Sequence, residues 1–243
     1  MSARAEDAGL DMVRVYVWEW PVRVTHWVIF LSLMMLSVTG LYLGRPFLVV
    51  AGPAGDHFVT GWIKTLHAYS AIFFTLAVLS RLAWMLLGNR WSTWRQFVPL
   101  TREQRSDTWE TFRFYVFLRP RPPGVAGHNP LAAMAYIAVY GLLLVQIFTG
   151  LGLYARSAHV DSPMRMFAVL VPLLGGLQVM RWIHHVVMWL LLGFVVHHVY
   201  SGWLIAQVER TGTMESIFTG YKFLPRSLAR SLGLLPEGGE ERR

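Results

Sequence analysis

The sequence predicts an all-α integral membrane protein, a bundle of four transmembrane helices with interfacial helices in its loops. Three observations carry this. Of 243 residues, 54% are hydrophobic and only 15% charged, where a soluble domain carries nearer a quarter. Four stretches reach the roughly 20 apolar residues that a helix needs to cross hydrocarbon. The basic residues gather between those stretches, as in bilayer proteins rather than nucleic-acid binders. The absence of cysteine excludes disulfides, thiolate catalysis, iron–sulfur ligation by this chain and a c-type haem linkage.

The elements follow in order. The first 25 residues lack an apolar core and the first span is too long for a signal peptide, so an uncleaved N-terminus is expected. The first span runs without charge from Trp27 to Gly44, with His26 at its entrance. The second, Leu66 to Gly88, contains His67 and a single charge, Arg81. The third, Leu131 to Ala155, is uncharged, and the fourth, between Arg181 and Glu209, has only four histidines as ionisable groups. None shows the one-sided stripe of a soluble amphipathic helix. Between the second and third spans, Thr101 to Leu118 is amphipathic, with a capping-box pattern at Thr101 and Gln104. Its aromatics Trp109, Phe112, Phe114, Tyr115 and Phe117 suit a helix lying on the membrane surface. Met166 to Leu177 is too short to span and is broken by Pro172 and Gly175–Gly176, so it is expected to be re-entrant or interfacial. With no internal repeat or flexible linker in view, the chain reads as one domain. It has an N-terminal segment (1–22), a helical region (23–209) and a C-terminal tail (210–243).

Lysine and arginine set the orientation. Sixteen lie in the N-terminal segment, the loop between spans two and three and the tail, against five (Arg45, Lys64, Arg156, Arg165, Arg181) on the other side. That places both termini in the cytoplasm of a bacterium, in a multi-pass inner-membrane protein. Tryptophans 18, 20, 62, 91, 94, 182 and 203 fall near span ends, as an interfacial belt should.

Six of nine histidines lie in or at the mouth of a span. Ionisable groups there mark function, because burying them costs free energy. A separation of 14 returns to within about 40° of one helix face, about 21 Å further along. His184 and His198 are so related, whereas separations of 13 (His185–His198, His184–His197) and 12 (His185–His197) diverge. The first helix enters from the cytoplasm, which sets His26 at the depth of His198. The second enters from the opposite side, which sets His67 at the depth of His184. Two such pairs at two depths are what two stacked b haems require, each iron taking two neutral imidazoles. A zinc site would need four ligands at one point.

The same period places Gly40 14 residues after His26, where a porphyrin face needs room, and Arg81 14 after His67, where an arginine can pair a propionate. Arg23, Lys64 and Arg181 each precede a histidine of the proposed pairs by three, one turn nearer water, where propionates emerge. His57, His128 and His159 read as loop residues. His185 and His197 face away from the pairs and read as backbone-bonded or substrate-side groups, and Tyr42, Tyr69, Tyr136 and Tyr140 as core aromatics.

At this point the chain resembles a known family, the b-type cytochrome subunits of membrane-bound nickel–iron uptake hydrogenases. The residues that carry the likeness are Trp20–Trp27 leading to Val38–Thr39–Gly40, Gly61–His67, Gly88–Asn89 and the loop signature Gly127–Ala132. His184–His185 with Met188–Trp189, His198–Val199–Tyr200 and Thr219–Lys222 complete it, from about Val13 to Phe223. The resemblance implies His26, His67, His184 and His198 as iron ligands of haem b. It also implies a periplasmic hydrogenase small and large subunit as partners, and electrons passed from iron–sulfur clusters to membrane quinone. The chain would not itself carry the hydrogen-activating site, and the whole complex could form a dimer. The Met166–Leu177 loop would dock the small subunit. Quinone would bind near the His26/His198 haem, within reach of Glu19, Trp20, Arg23, His128 and Tyr200. A second reading keeps the haems but changes the partner to another periplasmic dehydrogenase, or leaves a self-standing b561-like cytochrome. A third, a histidine-relay transporter, would show inverted repeats and broken midplane helices.

Overall fold

The structure is a computed structural model that describes residues 11–47, 52, 57–98, 101–120 and 130–235. In order come β1 (Met12–Tyr16), α1 (Trp20–Gly44), α2 (Val59–Leu87), a 3-10 turn (Trp94–Gln96), α3 (Arg102–Tyr115) and α4 (Pro130–Ala155). A second 3-10 helix (Pro163–Val169) leads through α5 (Leu170–Leu173) to α6 (Leu177–Glu209), α7 (Thr213–Thr219), β2 (Tyr221–Pro225) and α8 (Arg226–Ser231). The four expected spans are α1, α2, α4 and α6, each long and apolar enough to cross a bilayer.

The helices outrun their apolar runs because nothing in the flanking turns breaks them. α1 begins at Trp20–Pro21, where a proline in the first turn gives up no intrahelical bond. α6, at 33 residues, is about 50 Å long, well beyond the roughly 30 Å of hydrocarbon. The expected capping box is present on α3: Thr101 Oγ1 accepts from Gln104 N, and Gln104 Oε1 accepts from Thr101 N. Trp109 and Phe112 stack on its exposed side. The short apolar piece before α6 is broken at Gly175 and Gly176, both with left-handed φ (83° and 100°), whereas Pro172, also expected to break it, lies inside α5. Its Met166, Val169 and Leu173 side chains are exposed.

The chain divides into two compact units. The bundle unit, Val24–Trp84 and Tyr136–His197, holds most of the four spans. Its core is Leu33 from α1, Phe74 and Val78 from α2, Leu143 and Ile147 from α4, and Val187 and Leu191 from α6. Leu33 lies seven residues from both His26 and Gly40, Phe74 seven from both His67 and Arg81, and Leu191 seven from both His184 and His198. On each of these helices the apolar residue therefore stands about 10 Å along the axis from either of the two residues that flank it at seven.

The terminal unit is Met1–Arg23, Met85–Ala135 and His198–Arg243. Here β1 and β2 pair antiparallel, Met12 opposite Pro225 and Tyr16 opposite Tyr221. The Trp18 indole donates to Ser216 Oγ at 2.9 Å. Asn89, just past α2, is a hub: its Oδ1 accepts from the Trp91 and Ser92 amides and the Ser92 hydroxyl, while Nδ2 donates to the Val17 carbonyl at 3.0 Å. Lys222, on β2, is buried at 4% exposure. Burial pushes its ammonium below the usual lysine range, and the nearby Glu209 carboxylate opposes that shift.

Candidate functional site

His67 and His184 lie in the bundle unit within electrostatic range of each other. His67 projects from the stripe of α2 that is buried at Ser70, Phe74, Val78 and Arg81. Each imidazole is held from a neighbouring helix. Thr39 Oγ1 of α1 is 2.8 Å from His67 Nδ1, and Thr149 Oγ1 of α4 is 2.8 Å from His184 Nδ1. In both cases the next residue is a glycine closing on the same imidazole carbon. A Cβ on Gly40 would stand 3.4 Å from His67 Cε1, and one on Gly150 3.3 Å from His184 Cε1. The two histidines thus sit in matched surroundings, a Thr-Gly pair on the adjacent helix for each.

Gln146, one turn from Gly150, brings its carboxamide nitrogen to 3.1 Å from His184 Nε2, and its Oε1 is buried without a hydrogen-bond partner. Unsatisfied buried acceptors are rare and costly in apolar surroundings. These residues fit a haem. Both Nδ1 atoms are engaged, so Nε2 is the nitrogen left to an iron. The glycines keep side chains off both rings, and iron at His184 Nε2 would replace the Gln146 amide as that nitrogen's partner.

The remaining expected residues are placed as follows. Gly40 lies against His67, on the first helix as its register requires. Arg81 is buried at 4% exposure, with Tyr140 in electrostatic range. Lys64 is exposed and lines a 420 Å³ cavity with Thr65, Ala68, Tyr69, Ile72 and Tyr154, along a different stripe of α2 from His67. Arg181 is exposed, and its carbonyl is 2.9 Å from His185 Nδ1. His185 is backbone-bonded as the sequence suggested, and Gly44 closes on its Nε2, where a Cβ would come to 2.8 Å. Arg23 belongs to the terminal unit, where Nη1 donates to the Phe218 carbonyl and Nε is buried without a hydrogen-bond partner.

His26 is half-buried in the bundle unit and His198 half-buried on α6 in the terminal unit, while its neighbour His197 is exposed. That contrast favours His198 over His197 as the inward residue. Among the residues named for quinone, the Glu19 carboxylate accepts from the Asn89 amide at 2.7 Å, Trp20 and Tyr200 are exposed, and His128 lies outside the described residues. Three residues of the site were not singled out from sequence: Thr149, Gly150 and Gln146. The signal for them is a Thr-Gly dipeptide inside an apolar run: of the five in the sequence, only those at 39–40 and 149–150 lie within the predicted spans. It stands 13 residues after His26 in α1 and 13 after Tyr136 in α4.

Comparison with known proteins places the chain in a family. The family model of the prokaryotic cytochrome b561 family matches residues 17–220. The probable Ni/Fe-hydrogenase B-type cytochrome subunit of Cupriavidus necator is 35% identical over 218 residues, 88% of this chain and 89% of that one. The probable Ni/Fe-hydrogenase 1 B-type cytochrome subunit of Escherichia coli K12 is 34% identical over 217 residues, 87% and 92% of the two chains. A third, from Azotobacter vinelandii, is 34% identical over 222 residues, 88% and 92%. With a match that covers all four spans and both histidines of the matched site, the chain belongs to the prokaryotic cytochrome b561 family.

Proposed function

We propose that this chain is the haem b membrane subunit of a nickel–iron hydrogenase, carrying electrons from the hydrogenase's iron–sulfur small subunit to membrane quinone. The observation that carries the reading is the His67/His184 pair with its matched Thr-Gly surroundings. The printed names of the relatives support the partner.

Haem b, when bound, supplies a one-electron couple that stays within the bilayer. His67 and His184 would hold one such group. His26 and His198, paired by register and depth, would hold a second, with Arg81 and Arg23 as cations for its propionates. Lys64 and Arg181 would serve the first in the same way. Between the two levels, Leu33, Phe74, Leu143 and Leu191 keep water out of the bundle. The excess of basic residues supports cytoplasmic termini in the inner membrane, so that the His67/His184 level faces the periplasmic partner and quinone meets the other level.

The test has two parts. A reduced-minus-oxidised spectrum of the purified chain, with haem and protein quantified together, is expected to give b-type bands at two haems per chain. One haem would leave the His26/His198 pair without a role as ligands, and none from folded protein would overturn the reading. Membranes containing the hydrogenase large and small subunits should then reduce quinone with hydrogen only when this chain is present. Equal rates without it would remove the hydrogenase assignment while leaving the haem ligands untouched.

A further inference from the structure

We propose that Thr39 and Thr149 are positioning residues for the His67/His184 site, each fixing its histidine as the Nδ1–H tautomer so that Nε2 is presented as the ligating nitrogen. This rests on the reading of His67 and His184 as haem ligands.

The assignment comes from counting protons. A threonine hydroxyl has one proton to donate. Thr39 Oγ1 lies 2.7 Å from the Met35 carbonyl oxygen, and Thr149 Oγ1 lies 2.7 Å from the Val145 carbonyl oxygen. A carbonyl only accepts, so an oxygen–oxygen contact that short needs the hydroxyl proton between the two atoms. With that proton committed to its own helix, each Oγ1 can only accept from the histidine. The 2.8 Å contacts to Nδ1 are therefore Nδ1–H donations, in His67 and His184 alike. Neither imidazole retains a proton on Nε2 in its neutral form.

His185 supplies the contrast. Its Nδ1 is satisfied by the Arg181 carbonyl of its own helix, which sets a tautomer without tying the ring to a neighbour. His67 and His184 are instead tied from another helix by a buried hydroxyl, Thr39 being 5% and Thr149 2% exposed. A hydrogen-bond acceptor on the distal nitrogen fixes the ring plane and makes the ligating nitrogen more basic, which favours the oxidised iron. Loss of that acceptor should weaken ligation and raise the potential.

The test replaces each hydroxyl by an isosteric methyl in the full haem-loaded protein. Thr39→Val and Thr149→Val are expected to raise the midpoint potential of one b-haem couple and alter its low-spin electron paramagnetic resonance signature. Haem affinity at that site should fall about 10- to 100-fold. Thr39→Ser and Thr149→Ser, which keep the hydroxyl, should restore potential and signature. Thr39→Ala and Thr149→Ala remove the hydroxyl without adding bulk and carry the same expectation if a valine variant does not accumulate. Hydroxyl-free variants with native potential and signature would overturn the positioning role, as would serine variants that bind haem but do not restore them. The ligand reading fails separately, if His67→Ala and His184→Ala both keep full haem content.

Discussion

Gly150 approaches His184 so closely that a methyl group at residue 150 would meet the imidazole at 3.3 Å, while Gly141, on the same helix, has nothing within 4 Å of where its Cβ would be. A leucine at Gly150 has no room beside the ring and must displace it, whereas one at Gly141 projects into open space. Gly150→Leu is expected to lose the haem held at His67 and His184, and Gly141→Leu to keep it. Gly40→Leu should act as Gly150→Leu does, since Gly40 meets His67 in the same way. Haem per chain, measured as the pyridine complex, checks all three. Full haem in the Gly150 and Gly40 variants would mean the glycines are helix-contact residues with no bearing on the site.

The histidines divide by environment in a way that alanine substitution can read. His67→Ala and His184→Ala should each remove one haem from the reduced-minus-oxidised spectrum. His185→Ala should keep both, because His185 is satisfied by its own helix at Arg181. His197→Ala should also keep both, because His197 is exposed where His198 is half-buried. Loss of haem in the His197 variant with retention in His198→Ala would reverse the register assigned to the fourth span.

The spans, and His67 with His184 among them, were legible because lipid imposes a strong and simple code. Each is about 20 residues with at most one charge, so a histidine or an arginine inside one stands out at once. Thr149 and Gln146 were not legible for the opposite reason. A threonine in a span ordinarily bonds the carbonyl four residues back, as Thr149 does to Val145, and nothing in the sequence shows that its oxygen also accepts from a second helix. The available clue was a Thr-Gly inside two of the apolar runs, and three further Thr-Gly dipeptides outside those runs dilute it. β1 and β2 escaped for want of length: five residues each, paired across more than 200 positions, carry too little alternation to distinguish a strand from a tail. The strands are established by their partners rather than by any local preference.

Asn89 joins the end of α2 to the N-terminal segment through side-chain bonds to Val17, Trp91 and Ser92. Asn89→Ala leaves those backbone groups to find water or go unpaired, at a cost of about 2 kcal/mol. Asn89→Asp keeps an acceptor for Trp91 and Ser92 but loses the donation to Val17, so a smaller loss is expected. Limited proteolysis in membranes, read at the N-terminal segment, should show cleavage fastest in the alanine variant and intermediate in the aspartate one. Equal rates in all three proteins would remove Asn89 as the hub of the terminal unit.

Lys222 makes the stability of the terminal unit depend on pH, with a sign that can be worked out. Burial lowers its pKa in the folded state below the unfolded value near 10.5, and Glu209 only partly opposes this. Below 10.5 the unfolded chain therefore binds more protons than the folded one, and stability rises with pH. The gain is complete above the unfolded pKa and lost as pH falls through the folded one. Tyr115 works in the opposite direction: burial, with Glu209 nearby, raises its phenol above the usual value of 10. Its contribution is present below 10 and lost as pH rises through the raised value. Protection of the terminal unit from proteolysis, corrected for the protease's own pH profile, is thus expected to increase as pH rises towards the unfolded lysine value and then to flatten or turn over. Lys222→Met should abolish the rise. It also leaves the half-buried Glu209 carboxylate without the nearby ammonium, so the variant should be less stable than the native protein at neutral pH. Adding Glu209→Gln should recover most of that loss. A native-like rise in Lys222→Met would assign the pH dependence to another group.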